Sequence, residues 1–444
     1  MNIVLLSGGS GKRLWPLSNN ARSKQFLKLL ECEDKSKESM VQRVYRQIGE
    51  MDADIHVTVA TSVGQVDAIR SQLGADVDIV TEPERRDTYP AIMLAAAYLY
   101  DVKHCGLEEP VIVMPVDPYT EQGYFDTIQK MEQAVRENAA DIVLMGIDPA
   151  YPSEKYGYIL PKKEKQNGYA EVRKFVEKPD ALKAAELIAD GALWNGGVFA
   201  FRLGYLIDKV DAEPGKNRFD TLLERYHTLK KISFDYEIVE KADRIAVTPF
   251  CGMWKDLGTW NTLSEEISAD TGLTVRGEGT EDTKIVNELN IPVVALGVKD
   301  MVIAASPDGI LVSGKDASSF MKPYVEALEQ RPMYEERRWG SYRVIDYITY
   351  SNERKSLTKH LEIHAGKKLS YQSHAKRDEI WTIVDGTGVL LLDGHTRNVK
   401  RGDVAYITAG MKHALCAVTD LHMIEVQIGP ELDEEDIIRY AMDW

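Results

Sequence analysis

Apolar and polar positions follow two alternating patterns along residues 1–265. Short, almost wholly apolar runs alternate with longer segments in which apolar side chains recur every three or four residues. The short runs predict buried strands, as in NIVLLS, DIHVTVA, PVIVMPVD and DIVLMGID. The longer segments predict helices, as in ESMVQRVYRQI, VGQVDAIRSQL, YPAIMLAAAYLYDV and FDTIQKMEQAVREN. This alternation predicts an α/β domain with a Rossmann-like, mixed but mostly parallel sheet.

The pattern changes twice after residue 265. Residues 266–332 contain short apolar runs, such as IPVVALGV, MVIAASP and GILVSG, and end in the helix-like SSFMKPYVEALEQ. They predict a small β-rich connecting segment. Residues 333–444 contain short strands at regular spacing with Gly-containing turns, which is typical of an all-β jelly roll or barrel. One helix is predicted in this last region, in DEEDIIRYAMDW at its end.

Composition and charge exclude several classes of protein. The 444 residues are 44% apolar and 28% charged, as expected for a globular chain rather than a disordered or fibrous one. The formal net charge is −16, so non-specific binding to nucleic acid or to an anionic membrane surface is not expected. Anionic ligands must therefore meet local basic side chains, backbone N–H groups or a metal.

Targeting signals and cysteine spacing indicate the cellular compartment of a protein. No basic leader precedes the first predicted strand, and no apolar run approaches the length of a membrane helix. The cysteines have no paired spacing and predict reduced, buried thiols instead of a disulfide or zinc framework. They are Cys32, Cys105, Cys251 and Cys416. These features predict a cytoplasmic protein.

A glycine-rich loop, LSGGSGKRLWPLS, follows the first predicted strand at residues 6–18. It is not a P-loop, because Leu6 and Arg13 stand where that pattern needs Gly and Ser or Thr. It is not the dinucleotide fingerprint either, because Leu14 stands where a small residue is required. A plain turn is one alternative, but the loop concentrates phosphate-binding donors in an acidic chain. These donors belong to Gly8, Gly9, Gly11, Arg13 and Lys24.

The loop begins a series of motifs that resemble the sugar-1-phosphate nucleotidyltransferases, most closely the mannose-1-phosphate guanylyltransferases. With the following SKQFL, it is similar to the family pattern LxGGxGTRLWPLSR and PKQFL. The other motifs occur in the family's order: TEPERRDTYPA, VMPVDPY, EKYGYI, FVEKPD, LWNGGVFAF, SFDYEIVEK and GMWKDLGTW. Each motif alone is weak evidence, but their order along nearly the whole chain is specific.

This resemblance implies a reaction and a set of site residues. A mannose 1-phosphate oxygen would attack the α-phosphorus of GTP and release pyrophosphate, so the protein has to align two anions and neutralise charge. Arg13 would clamp the pyrophosphate, and Lys24 would stabilise charge at the α-phosphate. Asp117 and Asp256 would hold Mg²⁺. The nucleotide would contact Leu6, Gly8, Gly9, Gly11, Lys12, Glu82, Arg85 and Asp87.

Substrate choice depends on residues at the base and sugar positions of the family motifs. By the same resemblance, the sugar phosphate would contact Gly157, Glu177, Lys178 and Asn195. Three residues depart from the family motifs near the base and the metal: Asp87, Tyr89 and Pro118. Another triphosphate or another hexose 1-phosphate therefore stays open, and a catalytically silent sugar-nucleotide sensor is the alternative from a different class. Members of the family commonly self-associate, which implies a homodimer.

The last region resembles the cupin domain of type II mannose-6-phosphate isomerases, in RRWGSYRVIDY, LSYQSHAKRDEIWTIVDGTG and ITAGMKHALCAVTD. Period-two alternation puts Gln372 and His374 on one strand face, and Glu379 and His413 complete a ligand set. This set suits a second divalent metal, such as Zn²⁺, Mn²⁺ or Fe²⁺. We expect a metal-binding cupin with a structural or regulatory role, and isomerase activity is the alternative. Three histidines of the family pattern are missing, at Ala375, Lys376 and Ile380.

Overall fold

The computed structural model describes residues 1–9, 12–19, 21–52, 54–328, 331–433 and 436–441, without the side chains of residues 164–166. The chain forms two compact units. The first unit comprises Met1–Arg13, Ser23–Val66 and Gln72–Ser268. The second unit comprises Leu14–Arg22, Asp67–Ser71 and Ala269–Trp444. The boundaries at residues 265 and 332 stay predictions.

The first unit is built from alternating strands and helices. Its strands are β1 Asn2–Leu6, β2 Leu30–Glu31, β3 Lys37–Glu38, β4 His56–Ser62, β5 Asp78–Glu82, β6 Pro110–Pro115, β7 Pro118–Thr120, β8 Ile142–Ile147, β9 Tyr158–Gln166, β10 Tyr169–Val176, β11 Leu193–Arg202, β12 Ile245–Phe250 and β13 Trp254–Asp256. The α-helices before residue 268 are α1 Met40–Met51, α2 Val66–Leu73, α3 Thr88–Asp101, α4 Gln122–Arg136, α5 Ala181–Ala189, α6 Leu203–Ile207, α7 Arg218–Arg225, α8 Phe234–Glu237 and α9 Trp260–Glu266. Short 3-10 helices span Lys12–Leu14, Lys24–Phe26, Val63–Gln65, Tyr226–Thr228 and Val239–Lys241.

A nine-stranded sheet organises this unit, in the order β5-β4-β1-β6-β11-β8-β12-β10-β9. β1 pairs in parallel with β4 and β6, whereas β11 and β10 run antiparallel to their neighbours. The central strands are buried on both faces, which explains their continuous apolar sequences. The predicted Rossmann-like mixed sheet is confirmed, and in such sheets ligands bind at the carboxyl ends of the parallel strands.

Helix caps explain where two of the helices begin. Ser39 forms a capping box with Gln42 at the start of α1. The Asp87 side chain accepts a hydrogen bond of 2.8 Å from Thr88 N and caps α3. Asp87 has a φ of 70°, an uncommon value for a residue with a Cβ, and it stands shortly after β5.

The second unit is rich in β-strands. They are β14 Thr274–Arg276, β15 Lys284–Asn287, β16 Val293–Ala295, β17 Met301–Ser306, β18 Gly309–Gly314, β19 Tyr334–Arg337, β20 Gly340–Thr349, β21 Lys355–Ile363, β22 Gln372–His374, β23 Asp378–Asp385, β24 Thr387–Leu392, β25 His395–Lys400, β26 Val404–Ile407, β27 His413–Ala417, β28 Leu421–Gly429 and β29 Ile437–Arg439. Its short helices are α10 Lys315–Ser318 and α11 Lys322–Glu326.

Two antiparallel sheets form the last part of this unit, in the orders β19-β20-β21-β28-β23-β26 and β25-β24-β27-β22-β29. Apolar side chains from both sheets share one core, which includes Leu357, Trp381, Leu390 and Leu415. This shared core is what alternating inward positions on facing sheets produce. The predicted all-β cupin-like region is confirmed.

Two predictions about this chain are wrong in part. Residues Ile437–Arg439 form strand β29 instead of a helix, because their main chain pairs with β22 at the edge of the sheet and this tertiary pairing overrides local preference. The cysteines are unpaired as predicted, but they are not buried, and Cys251 is exposed. Across the described ranges, no helix combines the length and the apolar character that crossing a membrane requires.

Candidate active site

A cavity of about 370 Å³ lies in the first unit, beyond the carboxyl ends of β1, β5 and β6. The chain leaves these parallel strands at the same edge of the sheet, so residues distant in sequence meet there. Most of the predicted nucleotide set lines this cavity: Leu6, Gly8, Gly9, Glu82, Arg85 and Asp87, together with the predicted metal ligand Asp117.

The glycine loop is held in place through its carbonyl groups. Gly9 O accepts hydrogen bonds from Ser23 Oγ at 3.2 Å and from Gln65 Nε2 at 3.3 Å. Gln25 Nε2 donates to Ser7 O, two residues before Gly9, at 3.0 Å. Gly11, the third glycine of the predicted phosphate loop, lies outside the described residues. The next two predicted residues, Lys12 and Arg13, are described in a short 3-10 helix.

Lys24 lies between the two predicted metal ligands. Its Nζ is 2.6 Å from Asp117 Oδ2 and 3.9 Å from Asp256 Oδ1, and its side chain is only 14% exposed. Asp117 follows β6, and Asp256 ends β13. β13 pairs with β7 so that Asp256 lies opposite Pro118, and this pairing brings the two aspartates together. The structure thus brings a poorly exposed cation and two carboxylates together near the glycine loop.

Burial and neighbouring charges together shift the pKa values of these three groups. Burial alone would lower the pKa of Lys24, but the charges of Asp117 and Asp256 outweigh it and raise that pKa above its ordinary value. Burial also opposes ionisation of Asp117, yet the Lys24 charge holds its pKa below the usual range. Burial and the Asp117 charge raise the pKa of Asp256. Arg13 is exposed, and its charge acts on all three groups.

The four predicted sugar residues also lie together in the first unit. Asn195 N donates to Gly157 O at 2.7 Å, and Lys178 Nζ lies 2.6 Å from Glu177 Oε1. A Cβ at position 157 would overlap Glu177 Oε2 and come within 3.3 Å of Asn195 Cβ. A larger residue at position 157 would therefore have to displace the Glu177 carboxylate.

Sequence reasoning missed Asp235, which lines the cavity of about 370 Å³. Its Oδ1 accepts a hydrogen bond of 2.6 Å from Asn195 Nδ2. Burial, with the Glu177 charge as the next cause, raises the pKa of Asp235 to about 6. Asp235 stands inside the motif SFDYEIVEK, but the motif alone assigns it no role. Only the folded arrangement brings it beside Asn195.

Sequence reasoning also missed the residue that orients Glu82. Tyr226 OH donates to Glu82 Oε2 at 2.6 Å, and both side chains are buried. Burial raises the pKa of Glu82, and this hydrogen bond partly offsets the effect. The Glu82 carboxylate is therefore held in one orientation.

The second unit contains a separate cluster of possible metal ligands. Ligand atoms of His374, Glu379 and His413 all lie within 4.8 Å of one another, and the three residues are buried. His374 Nε2 is 3.1 Å from Glu379 Oε1, and His413 Nε2 is 3.6 Å from Glu379 Oε2. The fourth predicted ligand, Gln372, has its Nε2 at 3.4 Å from His374 Nε2. The structure therefore brings together all four predicted ligands.

A buried arginine that the sequence did not assign shares this cluster. Arg377 Nε donates to Glu379 Oε1 at 3.0 Å, and the exposed fractions of the two side chains are 2% and 1%. Trp381 Nε1 donates to Glu379 Oε2 at 3.1 Å. Burial, then the Arg377 charge, lowers the pKa of His374 to about 3, so its imidazole is neutral. A neutral imidazole is the form that binds a metal.

An adjoining cavity of about 260 Å³ opens beside this cluster and carries several cationic side chains. Lys359 and Glu425 lie on its wall with Nζ and Oε1 4.0 Å apart, and Gln427 Nε2 donates to Glu425 Oε1 at 2.6 Å. The remaining cations on the wall are Arg337, Arg338, Arg377 and Arg439.

Comparison with known proteins matches a family to each of the two regions. The Nucleotidyl transferase family matches residues 2–272, and the Mannose-6-phosphate isomerase C-terminal family matches residues 327–442. A mannose-1-phosphate guanylyltransferase of Escherichia coli is 30% identical over 99% of this chain and 97% of its own length. The alginate biosynthesis protein AlgA of Pseudomonas putida is 29% identical over 98% of this chain and 95% of its own.

A solved structure is also similar to this chain. The Thermus thermophilus protein described as a mannose-1-phosphate geranyltransferase is 30% identical and superimposes with a TM-score of 0.60. The match covers 74% of this chain and 99% of the Thermus chain. With the family match over more than half of its length, this chain belongs to the nucleotidyl transferase family.

Proposed function

We propose that the chain transfers GMP from GTP to mannose 1-phosphate, giving GDP-mannose and pyrophosphate. The observation that carries this proposal is Lys24, a poorly exposed cation held between Asp117 and Asp256 beside a glycine loop. In a chain with a net charge of −16, such a local concentration of donors supports a site for two phosphorylated substrates.

In the proposed reaction, a phosphate oxygen of mannose 1-phosphate attacks the α-phosphorus of GTP. The bond between the α-phosphorus and the bridging oxygen breaks, and pyrophosphate leaves. No protein nucleophile takes part, so alignment and charge neutralisation supply the catalysis. Lys24 would neutralise charge at the α-phosphate, and Arg13 would hold the leaving pyrophosphate with its planar fork of donors. The N–H groups of Gly8, Gly9 and Gly11 would bind the nucleotide phosphates.

The acidic pair in this site fits Mg²⁺. Asp256 Oδ1 is buried and has no hydrogen-bond partner among the described residues, as expected for an oxygen that serves a cation. Asp117 and Asp256 would hold the ion, and Mg²⁺ supplies charge neutralisation at the phosphates when bound. Two metal-site carboxylates also argue against a silent sensor, since binding alone needs no such pair.

Base selection would use Glu82, Arg85 and Asp87. Guanine presents N–H donors on one edge and the acceptors O6 and N7 on another. The carboxylates accept hydrogen bonds and the guanidinium donates them, so this set complements both edges. Lys178 would neutralise the sugar phosphate, whereas Glu177 and Asn195 would contact sugar hydroxyls. We also propose, from the family resemblance, that the protein is cytoplasmic and forms a homodimer.

The test is pyrophosphate release with Mg²⁺, across a grid of nucleoside triphosphates against mannose, glucose and fucose 1-phosphates. We expect GTP with mannose 1-phosphate to give the dominant signal. A peak elsewhere on the grid would keep the chemistry but show that Asp87 and Tyr89 have changed base or sugar choice. No release with any pair would favour the sensor.

We propose a second, structural or regulatory role for the cupin-like region, with a bound divalent metal. His413 Nε2 is buried without a hydrogen-bond partner among the described residues, while its Nδ1 contacts Met411 O at 3.0 Å. A backbone contact that orients one ring nitrogen and leaves the other for a metal is the usual arrangement of a metal-binding histidine. Gln372, His374, Glu379 and His413 would hold Zn²⁺, Mn²⁺ or Fe²⁺, an ion that polarises a sugar carbonyl or hydroxyl when bound.

Metal content checks this second proposal. After equilibration with Zn²⁺ or Mn²⁺ and desalting, the full chain is expected to retain one more divalent ion than the His413→Ala variant. His395→Ala, at an exposed histidine on β25, is the matched control and should retain the native content. Equal metal content in His413→Ala and the native chain would contradict the site. Rapid formation of fructose 6-phosphate from mannose 6-phosphate would instead establish the isomerase alternative.

A further inference from the structure

Glu177 carries an unsatisfied oxygen at the edge of the active site. Its side chain is only 4% exposed, and its Oε1 is paired with Lys178 Nζ. Its Oε2 is buried and has no hydrogen-bond partner among the described residues. Leaving a buried carboxylate oxygen without a donor is costly, so such an oxygen points to a ligand that brings one.

Asp235 is a second acidic group in the same place. It lines the 370 Å³ cavity. A Cβ at position 157 would contact both Glu177 Oε2 and Asn195 Cβ, so Glu177 and Asn195 approach the same point. Asn195 Nδ2 donates to Asp235 Oδ1, and Asn195 N donates to Gly157 O. Asp235 is therefore hydrogen-bonded to β11, the strand that contains the predicted sugar residue Asn195.

The backbone around Asp235 is firmly anchored. The neighbouring Phe234 is fully buried and packs on Phe199, with ring centroids 4.8 Å apart. Phe234 N donates to Thr88 Oγ1 at 2.9 Å, and the Ser233 side chain caps α8. A residue held this rigidly presents its carboxylate in one position, which is what a selective contact requires.

We propose that Asp235 is a sugar-selecting residue, which together with Glu177 accepts hydrogen bonds from two hydroxyl groups of the hexose 1-phosphate. This inference rests on the proposed nucleotidyl transfer. Hydroxyl groups donate and ionised carboxylates only accept, so the pair matches a diol. A sugar that lacks either hydroxyl leaves a carboxylate oxygen of this pair short of a donor, and sites built in this way reject such analogues strongly. Lys178 beside them supplies the positive charge for the phosphate end of the same substrate.

Steady-state kinetics of the full chain test this assignment. Asp235→Asn is expected to raise the KM for mannose 1-phosphate about 10- to 100-fold, the loss of one charged hydrogen bond. The KM for GTP should stay within about twofold, because the substitution removes no contact to the nucleotide phosphates. Glu240→Gln, at an exposed carboxylate five residues along the chain, is the matched control and should change neither constant.

Single-deoxy analogues of mannose 1-phosphate provide a readout that needs no variant. The native enzyme should discriminate against at least one analogue by more than about tenfold, and Asp235→Asn should lose that discrimination. Discrimination that persists in the variant, an unchanged sugar KM, or native use of every analogue would each overturn the role of Asp235. Native protein that releases no pyrophosphate with any hexose 1-phosphate would instead overturn the proposed function itself, and the selection role with it.

Discussion

Replacing Lys24 with alanine is expected to lower kcat for pyrophosphate release about 10²- to 10³-fold, the usual cost of losing one preorganised charge donor. Lys24 is the cation held between Asp117 and Asp256, where it would neutralise charge developing at the α-phosphate. GTP should still bind through the glycine loop and Arg13. Turnover and GTP affinity, measured by pyrophosphate release and by calorimetry, separate the two effects.

Lys28→Ala is the matched control for this variant, because Lys28 is an exposed lysine four residues further along. It should leave both quantities unchanged. A Lys24→Ala enzyme that keeps more than about a third of native turnover would contradict the catalytic role. Loss of GTP binding together with turnover would point to collapse of the loop instead.

Replacing Arg377 with methionine should destabilise the cupin-like region by about 3–5 kcal/mol, the cost of leaving one partner of a buried ion pair without the other. Arg377 and Glu379 are 2% and 1% exposed, so water cannot take over the role of the guanidinium. Arg377 also donates to Asp433 O at 2.9 Å. Hydrogen exchange of β23 amides in the full chain measures this loss locally.

Two further measurements identify the cause of that loss. The double variant Arg377→Met with Glu379→Met should recover much of the stability, because both charges are then gone. Excess Zn²⁺ should partly protect Arg377→Met, since a cation bound near Glu379 replaces the missing charge. Arg401→Met, at an exposed arginine, is the control. Exchange in Arg377→Met as slow as in Arg401→Met would refute the role of the ion pair.

Much of the nucleotidyl transfer site follows from local sequence. A short apolar strand followed by Gly8 and Gly9 predicts a loop at the edge of a parallel sheet, and the cavity lies there. Asp117 is foreseeable in the same way, since it follows the apolar strand β6. Its partner Asp256 is distant in sequence. The motif GMWKDLGTW identifies Asp256, but only the pairing of β13 with β7 brings it beside Asp117.

Other features depend on contacts that no local pattern encodes. Asp235 accepts a hydrogen bond from Asn195, which is 40 residues away, and Arg377 donates one to the buried Glu379. The terminal segment Ile437–Arg439 resembles a helix in isolation and becomes a strand through its partner β22. The side chains of this segment have only a weak preference for a helix, and the hydrogen bonds to the neighbouring strand outweigh it.

By itself, the sequence determined the α/β and all-β regions of this protein, its glycine loop and the family to which it belongs. Apolar periodicity and glycine spacing are local properties of the sequence. They determine which side chains are buried and where the backbone can form tight turns. Tertiary structure alone decided which acidic side chains are paired, which oxygens remain unsatisfied and which cations lie beside them. Those outcomes depend on distances of a few ångströms between residues far apart in the chain, because both desolvation and charge interaction change steeply over that range.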